Sequence, residues 1–285
     1  FPYNPVTLRA RQHIAQAQRF NDGGAGAALI NANKVFKGLG PVLASESTGD
    51  SSYHALQMWV NRRFSNRLTF QAAYTWSHAI TNVPLTSFTT ATTDPFNYEL
   101  DRGEADLDRR QMFIANAVYL LPSLKQQGAF INGVLGDWQV NAIVTLLDGT
   151  PVDVQSGADT AGLGAAGTQR PDLVLGQPIY LASSDKRKYL NPAAFAQVSG
   201  FALGDTPQTI TEQRSPPLLN WDVSFDNTTN FGNGQQILLR FEFVNIFGQP
   251  NFNGPGSVFG ASNFGSIGGV GGFPRVFQFM LKYVF

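Results

Sequence analysis

The sequence predicts an all-β fold, an antiparallel transmembrane β-barrel segment of about seven or eight strands joined by long extracellular loops. Three observations predict it: strands that alternate apolar and polar residues, a composition ill-suited to a water-facing surface, and loops whose lengths alternate along the chain. The last stretch, Arg275 to Phe285, is the clearest strand: Phe277, Phe279, Leu281, Tyr283 and Phe285 share one parity, with Gln278 and Lys282 on the other. Its length and aromatic tip fit a strand whose lipid-facing and lumen-facing residues alternate, with aromatic girdles at both interfaces. Charged residues are only 14% of the chain, against roughly 25% in ordinary soluble domains, while Phe contributes 23 residues and Gly 29. The 20 basic and 20 acidic side chains cancel, which removes the charge footprint of a nucleic-acid binder. No run reaches the roughly 18 apolar residues of a transmembrane helix, so a bilayer crossing has to be made by strands. Cys is absent, which excludes disulfides and thiolate metal sites. No leader is visible before Phe1-Pro2-Tyr3, so the sequence is expected to be the mature or truncated tail of a longer protein.

Taken in order, residues 1–50 form a poorly defined segment or extracellular loop, and 51–285 the barrel segment. Leu8 to Phe20 has the pattern of a short polar helix, broken at Asp22 to Gly26, and Pro41 to Ser47 that of a strand. His54 to Phe64 alternates, with Leu56, Met58 and Val60 on one face and Gln57 and Asn61 on the other. After a tight turn at Ser65 to Arg67, Leu68, Phe70, Ala72, Tyr74 and Trp76 alternate with Thr69, Gln71, Ala73, Thr75 and Ser77, completing a hairpin. Asn82 to Asp108 is polar and Thr-rich. Gln111 to Leu121 resumes the alternation with Phe113, Ala115, Ala117 and Tyr119, and Pro122 stops it. Trp138 to Leu147 puts Trp138, Val140, Ala142, Val144 and Leu146 on one face. A long irregular region from Gln155 to Pro217 exceeds the 12 to 15 residues usual for a structureless loop, so it needs a purpose or a shelter. Trp221, Val223 and Phe225 mark the next strand, Phe231-Gly232-Asn233-Gly234 a hairpin turn, and Ile237, Leu239, Phe241 and Phe243 its partner. The Gly-rich loop Gly248 to Gly272 leads to the last strand.

The turns near Ser65 and Gly232 and the connector after Pro122 fall on the side of the C-terminus, and the three long loops on the other. Outer-membrane barrels have this asymmetry, which makes the C-terminus periplasmic and the long loops extracellular.

Several motifs resemble one family. They are the hairpin Ser52 to Ser77, Asp101-Arg102-Gly103 to Asp108-Arg109-Arg110, Gln169-Arg170-Pro171-Asp172, Asn191-Pro192-Ala193-Ala194-Phe195, Phe243 to Phe252, and the terminal strand. From roughly residue 45 onward the chain resembles the TonB-dependent outer-membrane receptors with a carboxypeptidase-regulatory-like N-terminal domain, of the acidobacterial type. The resemblance implies a barrel of about 22 strands, plugged by an N-terminal globular domain and energised by a TonB complex. Neither plug nor TonB-contacting segment is in this sequence, so the expected identity is the C-terminal part of such a barrel. Its expected partners are outer-membrane lipid, the remaining barrel and plug, in the same longer chain or another, and TonB through the missing part.

The candidate chemistry is sparse. Asp101, Glu104, Asp106 and Asp108 form an oxygen-rich cluster able to take Ca²⁺, but their spacing is not that of an EF-hand. With Arg102, Arg109 and Arg110 interleaved, an ion-pair network bracing the loop is the expectation. Ser77 and His78 are adjacent on a strand and point to opposite faces, which argues against a nucleophile and base; no enzymatic activity is expected. Asp148 to Pro151 and Gly268 to Gly272 open no helix and lack the Lys-Ser/Thr of a phosphate loop. Arg240, Glu242, Gln278 and Lys282 occupy the non-aromatic parity and are the candidate lumen-facing, substrate-contacting residues. The leading expectation is a receptor barrel that binds and imports a bulky solute; the alternative is a small or split barrel acting as a structural component of a larger membrane complex.

Overall fold

The computed structural model describes residues 49–63, 67–83, 93, 97–128, 131–132, 135–158, 160, 169–199, 202–209, 213–232 and 234–285. The helix expected at Leu8 to Phe20, the strand expected at Pro41 to Ser47 and most of the segment 1–50 lie outside these residues.

Seven long strands form one antiparallel sheet: β1 (Ser51–Arg63), β2 (Leu68–Thr81), β4 (Gln111–Leu120), β5 (Gln139–Leu147), β8 (Leu218–Gly232), β9 (Gln235–Val244) and β10 (Val276–Val284). Short β3 (Gly103–Glu104) adds to the end of β2, and β6 (Asp172–Leu173) pairs with β7 (Phe195–Ala196) apart from the sheet. The long strands follow one another in chain order, and among the described residues the sheet is not closed, with β1 and β10 as its edges. At 9 to 15 residues, each strand has about the length that crosses a bilayer when tilted.

Register carries the alternation read from the sequence across the whole sheet. Leu56 pairs with Trp76, Tyr74 with Phe113, Phe113 with Leu146, Leu146 with Leu219, Val223 with Phe243 and Phe243 with Phe277. Every apolar parity identified strand by strand therefore lies on one continuous face. A slip of one residue at any pairing would have broken it. Rings meet along that face: Phe225 and Phe243 edge to face with centroids 6.2 Å apart, and Phe243 and Phe277 at 4.9 Å.

The three long loops leave from one end of the sheet, where Ser51 pairs with Thr81, Met112 with Leu147 and Val276 with Val244. Two of them are not irregular excursions. Residues 148–217 and 245–275 weave together through bridges Gln155 with Val258 and Lys188 with Ser266. Between them Val152, Val154, Leu190, Ala194, Phe195 and Phe264 form a buried core, with Leu173, Ile179, Tyr180, Tyr189 and Phe259 packed around it. The long region from Gln155 thus finds its shelter in a folded cap. Asn191 starts the short turn Pro192–Ala194, its side chain accepting from Ala193 N and donating to the Pro178 carbonyl, which delivers Ala194 and Phe195 to that core. Gly265 accepts from the Tyr189 and Leu190 amides at φ +68, and a Cβ there would lie 2.6 Å from the Leu190 carbonyl oxygen, so glycine is required.

Candidate functional site

The cap is fastened to the sheet by a layer of buried ion pairs. Short β3 places Glu104 beside β2, and the Ala79 amide donates to Asp108 at 2.6 Å, so both carboxylates stand at the top of β2. Arg214 reaches them from the far end of the 148–217 loop, donating to Glu104 Oε2 at 2.5 Å and Asp108 Oδ2 at 2.6 Å, and to the Gly149 carbonyl at 2.9 Å. Arg110 pairs with Glu104 and lies 3.5 Å from Asp108. A second clamp is parallel to the first: Arg170 binds Asp101 and Asp153, each at 3.0 Å, while Thr93 donates through its amide and hydroxyl to Asp101. Both arginines cross from one long loop to another.

The four carboxylates proposed as a Ca²⁺ site are therefore divided rather than gathered. Asp101 belongs to the Arg170 clamp, Glu104 and Asp108 to the Arg214 clamp, and Asp106, half-buried, joins neither. Among the described residues, the group with metal-ligand spacing is His78, Glu104 and Asp108, with ligand atoms within 4.8 Å of one another. Glu104 and Asp108 already face two guanidinium groups, so their two negative charges are matched and an added cation would be uncompensated. An ion-pair network is what these residues fit. Among the described residues Arg110 is the interleaved arginine that joins the pairs, and Arg109 donates instead to the Asp148 carbonyl. Arg170 and Arg214, the other two cations, were not singled out from the sequence as partners. The Gln169 to Asp172 motif was the one available pointer to Arg170, and Arg214 had none.

Ser77 donates to the Arg109 carbonyl and His78 Nδ1 faces Asp108 at 3.8 Å, so the two side chains take different partners. His78 pairs in register with His54, and with Trp76 and Arg110 they line a pocket of about 340 Å³ at the cap end of the apolar face.

The opposite face is mixed, with Ile114, Ile143 and Met280 on it, and across β5, β8 and β9 it carries a polar wall. Asn141 donates to Ser224 at 2.9 Å and Asp226 at 2.7 Å, Gln139 donates to Asn141, and Arg240 grips both oxygens of Asp226 at 2.7 and 3.1 Å. Glu242 stands in register between Ser224 and Gln278, and Lys282 opposite Leu238. The four lumen candidates thus share one face, and Arg240 and Glu242 belong to the polar rows that cross several strands. Arg240 is 47% exposed, so its bidentate pair is screened by water. Arg240→Ala should lower unfolding stability by under about 1 kcal/mol, measured as the temperature at which the compact form seen on an unheated gel is lost.

Residues 7–278 match the family described as outer membrane beta barrel domain. The chain belongs to that family. No curated protein and no solved structure matches it. Family membership points to the bacterial outer membrane and gives the two faces their meaning: the apolar face of an outer-membrane barrel meets lipid and the polar wall encloses water. No helix among the described residues is long and apolar enough to cross a membrane.

One carboxyl in the clamps carries a pH signature. Burial pushes Asp153 above its ordinary value of 3.8, and the Arg170 guanidinium only partly offsets it. Because the folded state holds that proton more tightly than the unfolded, Asp153 contributes stability at low pH that falls as pH rises through the interval above 3.8. Protease resistance of the cap, compared with an Asp153→Asn variant across the same pH series, should decline in that interval, and a ratio independent of pH would refute it.

Proposed function

We propose that the chain is the C-terminal barrel portion of a TonB-dependent outer-membrane receptor that binds and imports a bulky solute, with the C-terminus periplasmic and the cap extracellular. The observation that carries this reading is the folded cap. Loops that hold their own hydrophobic core and are clamped by buried arginines present a fixed surface, and a fixed surface outside the membrane is what solute capture requires. The polar wall offers amides, hydroxyls and matched charges along a route beneath it. Within this reading the chain has no catalytic role, and the energy for import enters through a plug and TonB partner outside this sequence. The two sheet edges without a further neighbour among the described residues favour a second reading, a split barrel that serves as a structural component of a larger membrane complex.

The deciding experiment is uptake by intact cells. Cells producing the full-length protein should accumulate solute only when the proton-motive force is intact, and lose uptake when residues 169–209 of the cap are deleted. Binding that survives collapse of the force, with no accumulation at any time, would leave the structural reading instead.

A further inference from the structure

The function proposed above leaves the cross-strand pair His54 and His78 without a role. The chain has three histidines; His13 lies outside the described residues, and the fold sets the other two face to face, His54 on β1 in register with His78 on β2. Backbone hydrogen bonds show which kind of pair this is. Ser77 N donates to the Arg110 carbonyl and Ala105 N to the Ala79 carbonyl, so odd residues of β2 turn their backbone away from β1. Even residues turn toward it, as Asn82 does when its amide donates to the Asp50 carbonyl. His54 and His78 are therefore a hydrogen-bonded pair, with Cα atoms about 5.5 Å apart and both side chains on one face. That face also carries Leu56 and Trp76, and both imidazoles line the same pocket.

The setting of His78 is the second observation. Its Nδ1 is buried, has no hydrogen-bond partner among the described residues and faces Asp108 Oδ1 at 3.8 Å. A ring nitrogen turned to a carboxylate carries the proton, which leaves the Nε2 lone pair for a ligand. Metal-binding histidines are held in this way, with the other ring nitrogen directed at a carboxylate, a carbonyl or water. Positive charge gained by the ring on ligation would draw Nδ1 onto Asp108 and satisfy it. Arg110 also lines the pocket, but its guanidinium is held by Glu104 and Asp108, and these two carboxylates are matched by Arg110 and Arg214. The buried carboxylates thus orient His78 and are not themselves the ligands.

We propose that His54 and His78 form a two-imidazole site for a divalent late transition metal, Cu²⁺ or Zn²⁺, which clips β1 to β2 at the end away from their turn. Imidazole suits these ions, whereas Ca²⁺ and Mg²⁺ require oxygen ligands. Metal to nitrogen bonds of about 2.0 to 2.1 Å need ligating nitrogens roughly 3.3 Å apart, within reach of two rings on opposed positions. His54 is exposed, so water completes the coordination.

The test uses the full-length protein without an affinity tag, stripped with a chelator and titrated calorimetrically with Cu²⁺, Zn²⁺ or Ca²⁺. His54→Gln and His78→Gln should each weaken the same single equivalent of Cu²⁺ and of Zn²⁺. The loss should exceed the about 10- to 100-fold that removal of an outer partner costs, because a ligand itself is gone. His13→Gln should leave the titration unchanged, and Ca²⁺ should not compete. Hydrogen exchange of the unsubstituted protein gives a local readout that needs no variant: Zn²⁺, and not Ca²⁺, should slow the amides of residues 51–56. Titrations that are the same in the unsubstituted protein and both variants overturn the proposal, as does loss in only one variant, or exchange in 51–56 that ignores Zn²⁺.

Discussion

Replacing Arg214 with alanine should release the cap from the sheet while leaving the long strands paired. The guanidinium is 12% exposed and bridges Glu104 and Asp108, whose side chains are 7% and 0% exposed. These two carboxylates are balanced by Arg110 and Arg214, so the variant strands one negative charge where water barely reaches. Removing one partner of a buried pair costs about 3 to 5 kcal/mol, several times an exposed pair, because the remaining charge loses its compensation. The Gly149 carbonyl loses its donor as well. The strands do not share the loss, since their ladder is backbone hydrogen bonding below the clamp. Limited proteolysis of whole cells should therefore cut within 82–110 and 148–217, while the unheated protein keeps its compact migration. Arg214→Lys should recover part of the resistance, because one ammonium keeps the charge without the fork that reaches two carboxylates and a carbonyl together. Unchanged proteolysis in the alanine variant would mean that the clamp does not hold the cap.

The contrast between strands and cap shows why one was legible in the sequence and the other was not. In Leu68 to Trp76 each apolar residue is two positions from the next, and the pairing partners Phe113 to Tyr119 keep the same period, so local pattern alone places them on one face. The cap core offers no such period. Leu190 sits between Tyr189 and Asn191, Phe264 between Asn263 and Gly265, and each is buried only because distant segments meet. The acidic half of the ion-pair layer was visible as Asp101 to Asp108, yet its cations were not: Arg214 lies 110 residues from Glu104, and Arg170 lies 69 from Asp101. Pairing at that distance is a property of the fold. Three of the motifs that carried the family resemblance turn out to be joints of the cap. Asn191 to Phe195 feeds its core and Gln169 to Asp172 supplies one clamp. In Phe243 to Phe252, Asn245 sits at φ +51 and donates to the Gln249 and Phe273 carbonyls, tying the start of its loop to the end.

Leu190→Ala should have an effect of similar size from the opposite cause, since it removes packing rather than charge. Leu190 is 1% exposed and belongs to a core of only a few buried side chains, so a cavity there has little around it that can collapse inward without unpacking the rest. Deleting such a side chain costs about 2 to 5 kcal/mol, and the small core places this site toward the upper part of that range. The Tyr189 and Leu190 amides that donate to Gly265 tie the two woven loops at this point, so loss of packing should loosen both loops together. Proteolysis should then reach 245–275 as well as 148–217, a wider pattern than Arg214→Ala gives, because a released cap keeps its core and an unpacked cap does not. Leu190→Met conserves volume and should cost under about 1.5 kcal/mol, and Leu175→Ala, at a position 89% exposed, should leave the digestion unchanged. If all three variants digest alike, the cap is not held by its core, and the fixed surface that solute capture requires would have to be sought in the polar wall.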